Sequence, residues 1–289
     1  MKKKPDEIAI DRVIRGLKSI PSIPTVVTKV TEILNDPWSC AADLGRVISA
    51  DQVLTAKLLG LVNSAFYGFP GKIETVSRAV TIIGFRQLRE LAVGTSLLNM
   101  FKGLGNNASL SVQDFWKHCV VCGIAGRVLA IYKREEVPER FFVAGLMHDI
   151  GRMVLLESCP EQYNDVFTMV KEQNCLVTEA EIAVFGFTHA EVGKQLMLHW
   201  HLPSSLVNAV GFHHDTESQG QFSSLADVVH VADIITHASG LGSSGEQFIP
   251  PLNPYVRERL GLKMSVLELA MEKMHEQFEN IADFMLVKK

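Results

Sequence analysis

Apolar residues recur at helical spacing along nearly the whole chain. The segment 116–132 is typical, with apolar side chains at Val120, Val121, Ile124, Val128 and Leu129. This spacing places them on one broad face of an α-helix that packs against a core. No stretch alternates apolar and polar residues for long enough to build a β-sheet. The pattern therefore predicts an all-α protein.

One segment interrupts the helical pattern more strongly than any other. Residues 103–107 read Gly-Leu-Gly-Asn-Asn, a composition typical of a linker. We therefore predict a two-lobed helical bundle whose lobes comprise residues 1–105 and residues 106–289. A loop with Gly-Ser-Ser-Gly and two prolines is predicted to precede a final amphipathic helix at residues 265–284, which would close the second lobe.

Two residues are predicted to begin helices. Asp51 is a candidate N-cap for a helix that reaches about residue 63, and Thr188 fits a capping box with Glu191.

The segment 141–156 is apolar on nearly every face, yet it carries His148, Asp149 and Arg152. The apolar pattern predicts one continuous buried helix. Burying these polar side chains costs several kcal/mol or so unless each is paired or bound to an ion. Successive helical residues lie about 100° apart, so His148 and Asp149 could both lean toward one metal ion.

The second lobe holds further polar residues of the same kind, each on or at the end of an apolar helix: His118, His189, His213, His214 and Asp233. A single histidine on an apolar face is more often a hydrogen-bonded core residue than a ligand, and for His118 or Asp233 alone that is the simpler interpretation. Together, nitrogen and oxygen donors from five elements suit one or two divalent transition-metal ions. The donor set does not distinguish iron, manganese, zinc and nickel.

Other candidate groups have simpler interpretations. Cys119 and Cys122 form a Cys-x-x-Cys pair inside an apolar helix without a second pair, which favours core thiols over a zinc or redox site. His230 and His237 stand three residues before and four after Asp233 and could share its helix face. We interpret both as helix-surface groups or as supports for Asp233.

Composition and charge narrow the range of partners. The net charge is −4 and the isoelectric point is about 6.2, which gives no electrostatic support for nucleic-acid binding. Five cysteines, an odd number, fit reduced thiols. No apolar run approaches the ~20 residues of a membrane span, and no secretory signal follows the first residues. We expect a cytoplasmic protein with neither nucleic acid nor membrane as partner, and a homodimer stays open.

Four short segments closely resemble the HDOD family, whose name means HD-related output domain. They are Ile23-Pro24, Ser49-Ala50-Asp51, the hexapeptide Asn-Ser-Ala-Phe-Tyr-Gly at residues 63–68, and Ile83-Gly84-Phe85. The resemblance covers roughly residues 20–237, and the hexapeptide is its most specific marker. It implies an N-terminal HDOD-type helical lobe followed by an HD-like helical lobe. It also implies a bacterial signal-transduction protein whose signalling partner is a separate chain.

The polar residues of the second lobe follow the order of the HD metal-dependent phosphohydrolases, a related superfamily. That order is a histidine, a His-Asp pair and a terminal aspartate, and the bimetallic branch adds a further histidine and a His-His pair. The resemblance implies one ion held by His118, His148, Asp149 and Asp233, and a second held by Asp149, His189, His213 and His214. Asp149 would then bridge the two ions.

The same resemblance implies catalytic roles for Asp149 and for Arg152, which could hold the phosphate of a phosphate-containing ligand. Related phosphodiesterases usually have lysine in place of Arg152. The HD-GYP phosphodiesterases also have a Gly-Tyr-Pro loop after the His-His pair, which residues 215–220 lack. Two functions remain: a metal-binding signalling protein without efficient catalysis, which we favour, or a metal-dependent phosphohydrolase acting on nucleotides or cyclic dinucleotides.

Overall fold

The structure is a computed structural model that describes residues 10, 12–14, 24–36, 38–100, 110–215 and 224–285. Within these ranges every regular element is a helix and no β-strand occurs. The predicted all-α fold is confirmed. The predicted linker at residues 103–107 and the loop residues 216–220 lie outside the described residues, so the division into two lobes stays a prediction.

Residues 24–36 and 38–100 form a first group of helices. They are α1 (Thr25–Asn35), α2 (Ala41–Ser49), α3 (Gln52–Val62), α4 (Val76–Ile83) and α5 (Phe85–Met100). Asp51 was predicted to begin α3, and its carboxylate accepts a hydrogen bond from the amide of Leu54 at 2.9 Å. Gly84 separates α4 from α5 with φ of 98°, a conformation that glycine adopts without steric cost.

Residues 110–215 and 224–285 form the second group. Its helices are α6 (Val112–Tyr132), α7 (Pro138–Met147), α8 (Ile150–Ser158), α9 (Pro160–Gln173), α10 (Val177–Phe185), α11 (His189–His199), α12 (Ser204–Phe212), α13 (Ser224–Ser239), α14 (Pro254–Leu260) and α15 (Met264–Met285). Helix α14 was not predicted; it occupies part of the loop expected before the last helix. The predicted capping box at Thr188 is confirmed, because its hydroxyl and the Glu191 carboxylate each accept from the other residue's amide.

The prediction of one continuous helix over residues 141–156 is wrong. Helix α7 ends at Met147, α8 begins at Ile150, and His148 and Asp149 form the turn between them. The imidazole Nδ1 of His148 donates to the Gly145 carbonyl at 2.7 Å, the carbonyl that the amide of residue 149 would reach in an unbroken helix. The turn projects both side chains from a helix junction.

One hydrophobic core runs through both groups of helices. Helix α5 packs on α7, and the long C-terminal helix α15 contacts both α6 and α3. Helix α6 is long and apolar enough to cross a membrane, but 78% of its most apolar window is buried inside the molecule. This burial is what a core helix requires, because its apolar faces contact neighbouring helices.

Four buried or part-buried residues join the two groups, and we call them the junction clamp: Phe66, Tyr67, Arg127 and Glu139. The Tyr67 hydroxyl donates to the Glu139 carboxylate at 2.8 Å. The Arg127 guanidinium donates to the Phe66 carbonyl at 3.0 Å and lies 4.0 Å from the centre of the Phe66 ring. The hexapeptide at residues 63–68 is therefore fixed onto α6 and α7 by charge-assisted and cation–π contacts.

Candidate metal centre

The structure brings together all seven residues that the sequence analysis assigned to a metal site. Five helices or helix junctions supply them: His118 from α6, His148 and Asp149 from the α7–α8 turn, His189 from the start of α11, His213 and His214 from the end of α12, and Asp233 from α13. Six of the side chains are buried, with exposed fractions of 0–3%, and His214 is half-buried.

His118, His148 and Asp233 form a first ligand group. The Nε2 atoms of His118 and His148 are 3.4 Å apart, and Oδ1 of Asp233 lies 3.1 Å from the first and 3.4 Å from the second. Two donors bound at about 2.1 Å to one ion, at angles of about 90–110°, are about 3.0–3.4 Å apart. The triangle therefore has the dimensions of three ligands around one ion.

Asp149, His189, His213 and His214 form a second ligand group. Oδ1 of Asp149 lies 2.9 Å from Nε2 of His189 and 3.7 Å from Nε2 of His213. The Nε2 atoms of His189 and His214 are 3.1 Å apart. These four donors also lie close enough together to surround one ion.

Asp149 faces both groups, one with each carboxylate oxygen. Its Oδ1 atom points to the second group, whereas Oδ2 lies 3.4 Å from Nε2 of His148 and 3.9 Å from Nε2 of His118. A carboxylate in this position can bind one ion through each oxygen, as the resemblance implies.

Hydrogen bonds behind the rings orient the histidines for ligation. His148 and His213 donate from Nδ1 to the carbonyls of Gly145 and Val210, at 2.7 and 2.8 Å. Because a carbonyl only accepts, Nδ1 carries the proton, and in the neutral ring Nε2 presents its lone pair to the cluster. Neighbouring lone pairs repel one another unless a cation lies between them.

The donor set fits divalent metal ions on a second ground. Within the described part of the chain, both carboxylate oxygens of Asp149, Oδ1 of Asp233 and Nε2 of His213 are buried without a hydrogen-bond partner. Buried polar atoms without partners are costly, and carboxylates more so than neutral groups. Bound ions would satisfy all four atoms at once.

The protonation states also suit ligation. Burial lowers the pKa of His118 and that of His213 to about 4, so both rings are neutral at pH 7. Burial alone would raise the pKa of Asp149, but the charges of Arg152 and His148 outweigh it and hold this pKa well below the ordinary value. The cluster thus contains an ionised carboxylate beside the neutral imidazoles of His118 and His213. Against the effect of burial, the charge of Asp149 raises the pKa of His148 and the charge of Glu181 raises that of His189, so metal binding at these two rings would release protons.

Glu181 supports the second group, although the sequence pattern does not single it out. Its fully buried carboxylate accepts from the His189 amide at 2.8 Å, from Nδ1 of His189 at 2.7 Å and from the Tyr163 hydroxyl at 2.7 Å. A carboxylate behind a histidine fixes the ring's tautomer and makes it a stronger ligand. Its sequence signal was a lone carboxylate on the buried face of α10, eight residues before His189.

We expect Glu181→Gln to weaken metal binding by about 10–100-fold, because the amide cannot accept the same hydrogen bonds with a negative charge. Titration against a chromophoric chelator would measure the affinity. Glu172→Gln, on the exposed face of α9, is the matched control and should bind metal as the unmodified protein does. Equal affinities for the two variants would show that Glu181 does not support the site.

Arg152 has contacts other than the predicted ones. The side chain is 1% exposed; its Nε lies 3.1 Å from Oδ1 of Asp149, and one terminal nitrogen donates to the Ser244 carbonyl at 2.9 Å. These contacts give Arg152 a role in positioning Asp149. The predicted role in holding a phosphate stays a prediction.

Close packing of the backbone around Gly151 brings the second group together. A Cβ atom at Gly151 would overlap the carbonyl oxygen of His189, so α8 and the start of α11 can approach this closely only with glycine there. His230 also supports the cluster, because its Nδ1 donates to the His213 carbonyl at 2.8 Å and its Nε2 accepts from the Asn253 amide.

The interpretation of Cys119 and Cys122 as core thiols is confirmed, since both are buried and free.

The HDOD domain family model matches residues 20–216. The chain belongs to the HDOD family. This match confirms the resemblance that residues 63–68 and the neighbouring segments suggested. An uncharacterized protein of Treponema pallidum is 26% identical to this HDOD chain over 175 residues, which cover 60% of the chain and 33% of that protein. The matched region is thus about a third of that relative's length.

Solved structures show the same fold. An HDOD domain protein with unknown function from Geobacter sulfurreducens superposes with a TM-score of 0.82, covering 97% of this chain and 98% of that one at 24% identity. A "Putative phosphohydrolase" from Shewanella amazonensis gives 0.75, with 96% and 97% covered at 21% identity. A "Putative signal transduction protein" from Marinobacter aquaeolei gives 0.75, with 97% and 65% covered at 20% identity. At these identities the likeness establishes the fold alone.

Proposed function

We propose that this HDOD protein is a metal-binding signalling module without efficient catalysis. One or two divalent transition-metal ions bind the cluster and hold α6, the α7–α8 turn, α11, α12 and α13 in one arrangement. The module then acts on a separate signalling protein. Ions that bind the folded chain and not the unfolded chain stabilise this arrangement.

The burial of the ligands is the observation that supports this proposal. His118, His148, Asp149, His189 and His213 are at most 1% exposed, and Asp233 is 3% exposed. A substrate must approach an ion closely before water can attack it, and only half-buried His214 offers an approach among the seven residues. A site closed in this way favours a structural or sensory ion.

A metal-dependent phosphohydrolase is the second candidate. The observation in its favour is the complete pair of ligand groups, with Asp149 facing both. Ions bound there would polarise a phosphoryl oxygen and lower the pKa of bound water. The chain itself would have to orient the substrate, a contribution of several kcal/mol or so. The buried contacts of Arg152 and the lack of a Gly-Tyr-Pro sequence after His214 weaken that contribution.

We expect the purified protein to carry one or two transition-metal ions per chain and to hydrolyse phosphates poorly. Elemental analysis after purification without chelator would measure the first property. Protein reconstituted with manganese or ferrous iron would then be tested on cyclic dinucleotides, nucleoside phosphates and an aryl phosphodiester. His148→Ala is the matched variant, because it removes one ligand of the first group.

Two results would contradict the proposal in different ways. A metal content below about a tenth of an ion per chain would show that the cluster is not a metal site, allowing for partial loss in handling. Turnover near the usual range of ~1 to 10³ per second, abolished in His148→Ala, would establish the phosphohydrolase instead.

A further inference from the structure

The segment between α13 and α14 lies against the supports of both ligand groups, and we call residues 241–248 the strap. The Ser243 amide donates to the Asp114 carbonyl of α6 at 2.9 Å, one turn before His118. Gly242 has φ of 78°, and an added Cβ atom there would overlap the backbone amide of His118. The strap therefore packs directly on the turn of α6 that carries a ligand of the first group.

The strap also contacts the arginine that positions Asp149. Ser244 is fully buried, and its carbonyl accepts from Arg152 at 2.9 Å. On its other side, the guanidinium places Nε 3.1 Å from Oδ1 of Asp149. Because a guanidinium is planar and its donors point in fixed directions, a shift of the Ser244 carbonyl would reorient the group that faces Asp149. The strap is thus connected to the carboxylate that faces both ligand groups.

Glu246 connects the strap to the second group and to the surface. Its Oε2 atom accepts from the Val177 amide at 2.8 Å, at the start of the helix α10 that carries Glu181. Its Oε1 atom accepts from the amides of Gln247 and Phe248, at 2.9 and 3.2 Å. The Phe248 side chain is 38% exposed. One carboxylate therefore joins the support of the second group to an exposed end of the strap.

The strap depends on these contacts for its order. Residues 241–248 contain no helical turn, and the segment packs closely only because it has glycines. Gly245 has φ of 91°, and an added Cβ atom would overlap the Phe167 ring of α9. A segment of this kind opens at a lower free energy than the helices around it. Its order follows from the relative positions of α6, α8 and α10, which bound ions would fix.

We propose that the strap is a metal-linked element that is ordered when ions occupy the ligand groups and loosens when they leave. This inference rests on the proposed metal binding and adds a regulatory output to it. The state of a buried site would become detectable at the surface, at the end of the strap that carries Phe248. Because linkage is reciprocal, a change that loosens the strap must in turn weaken metal binding.

Bound metal should slow amide hydrogen exchange in the strap by at least about fivefold, the lower end of typical couplings between sites. Hydrogen–deuterium exchange of the full chain, followed by mass spectrometry, would be compared with manganese and in excess chelator. Helix α4 is the internal control, because it belongs to the first group of helices and supplies none of the seven candidate ligands. Its exchange should change much less than that of the strap.

Gly245→Ala should lower the affinity for manganese by at least about fivefold, because the new methyl group pushes the strap away from Phe167 without touching a ligand. Chelator competition would measure the affinity. Gly240→Ala is the matched control, because Gly240 also has positive φ, 68°, but has no atom within 4 Å of an added Cβ. Both variants introduce similar backbone strain, and only Gly245→Ala should bind metal more weakly.

Glu246→Ala is a second variant, used also if Gly245→Ala does not fold. It removes the contact between the strap and α10 and should weaken manganese binding in the same direction. Glu258→Ala, on the exposed face of α14, is its control. Unfolding in excess chelator identifies the variants that are folded before metal is added.

The outcomes distinguish this inference from the proposed function. If the unmodified protein binds no metal, both fail. If it binds metal but exchange in the strap is the same with and without ions, only the inference about the strap fails. It also fails if the folded strap variants keep the unmodified affinity. Exchange that slows equally in the strap and in α4 would overturn it as well, because the ions would then stabilise the protein as a whole.

Discussion

Asp149→Ala should lower the free energy of unfolding of the metal-loaded protein by about 3–5 kcal/mol, the usual cost of removing one partner from a buried charge pair. The change removes the carboxylate that faces both ligand groups and leaves the buried Arg152 without its counter-ion. Urea denaturation followed by circular dichroism would measure the loss. Asp165→Ala, on the exposed face of α9, is the control and should change stability by less than about 0.5 kcal/mol.

Repeating the comparison in excess chelator separates the two causes. Without ions, the unmodified protein loses the stabilisation that metal binding supplies. The difference in free energy of unfolding between it and Asp149→Ala should therefore become smaller. The part that remains belongs to Arg152 and its lost ion pair. Equal unfolding midpoints for Asp149→Ala and Asp165→Ala in both conditions would show that Asp149 bridges nothing.

Glu139→Ala should destabilise the protein by a similar amount, about 3–5 kcal/mol, through the junction clamp. Arg127 is 7% exposed and would be left without a carboxylate, and the Tyr67 hydroxyl would lose its acceptor. Urea denaturation again measures the effect. Glu136→Ala is the control, because the Glu136 side chain pairs with Arg86 at an exposure of 86% and such pairs contribute about 0–1 kcal/mol.

A double variant tests whether charge pairing is the cause. Arg127→Met with Glu139→Leu replaces the buried pair by apolar side chains of similar size, an exchange that is often neutral. We expect this double variant to be more stable than Glu139→Ala alone. If it is less stable, the clamp acts through the cation–π contact with Phe66 and not through the ion pair.

The sequence revealed those features whose causes are local. Asp51 and Thr188 mark helix starts because a capping side chain binds amides two or three residues away. The seven candidate ligands were recognisable because polar side chains on apolar helices need partners, whatever the tertiary structure is. Both kinds of signal can be recognised in the sequence without knowing which helices pack together.

The features that the sequence did not reveal depend on tertiary contacts. Apolar periodicity continues through residues 141–156, so it hides the turn at which the His148 ring binds the Gly145 carbonyl. Glu181 resembles an ordinary helix carboxylate until α10 and α11 meet and place it behind His189. The Ser244 carbonyl that accepts from Arg152 likewise depends on how α8 packs against the segment that follows α13.

The junction clamp and the ligand groups both depend on the positions of helices α6 and α7. Helix α6 carries both His118 and Arg127, nine residues and so about 13 Å apart along its axis. Helix α7 carries Glu139 and ends at Met147, immediately before His148. If the clamp and the ions favour the same spacing of these helices, reciprocity requires each to strengthen the other by one common factor. A protein that pulled residues 63–68 away would then release metal, and protease cleavage there would report ion occupancy.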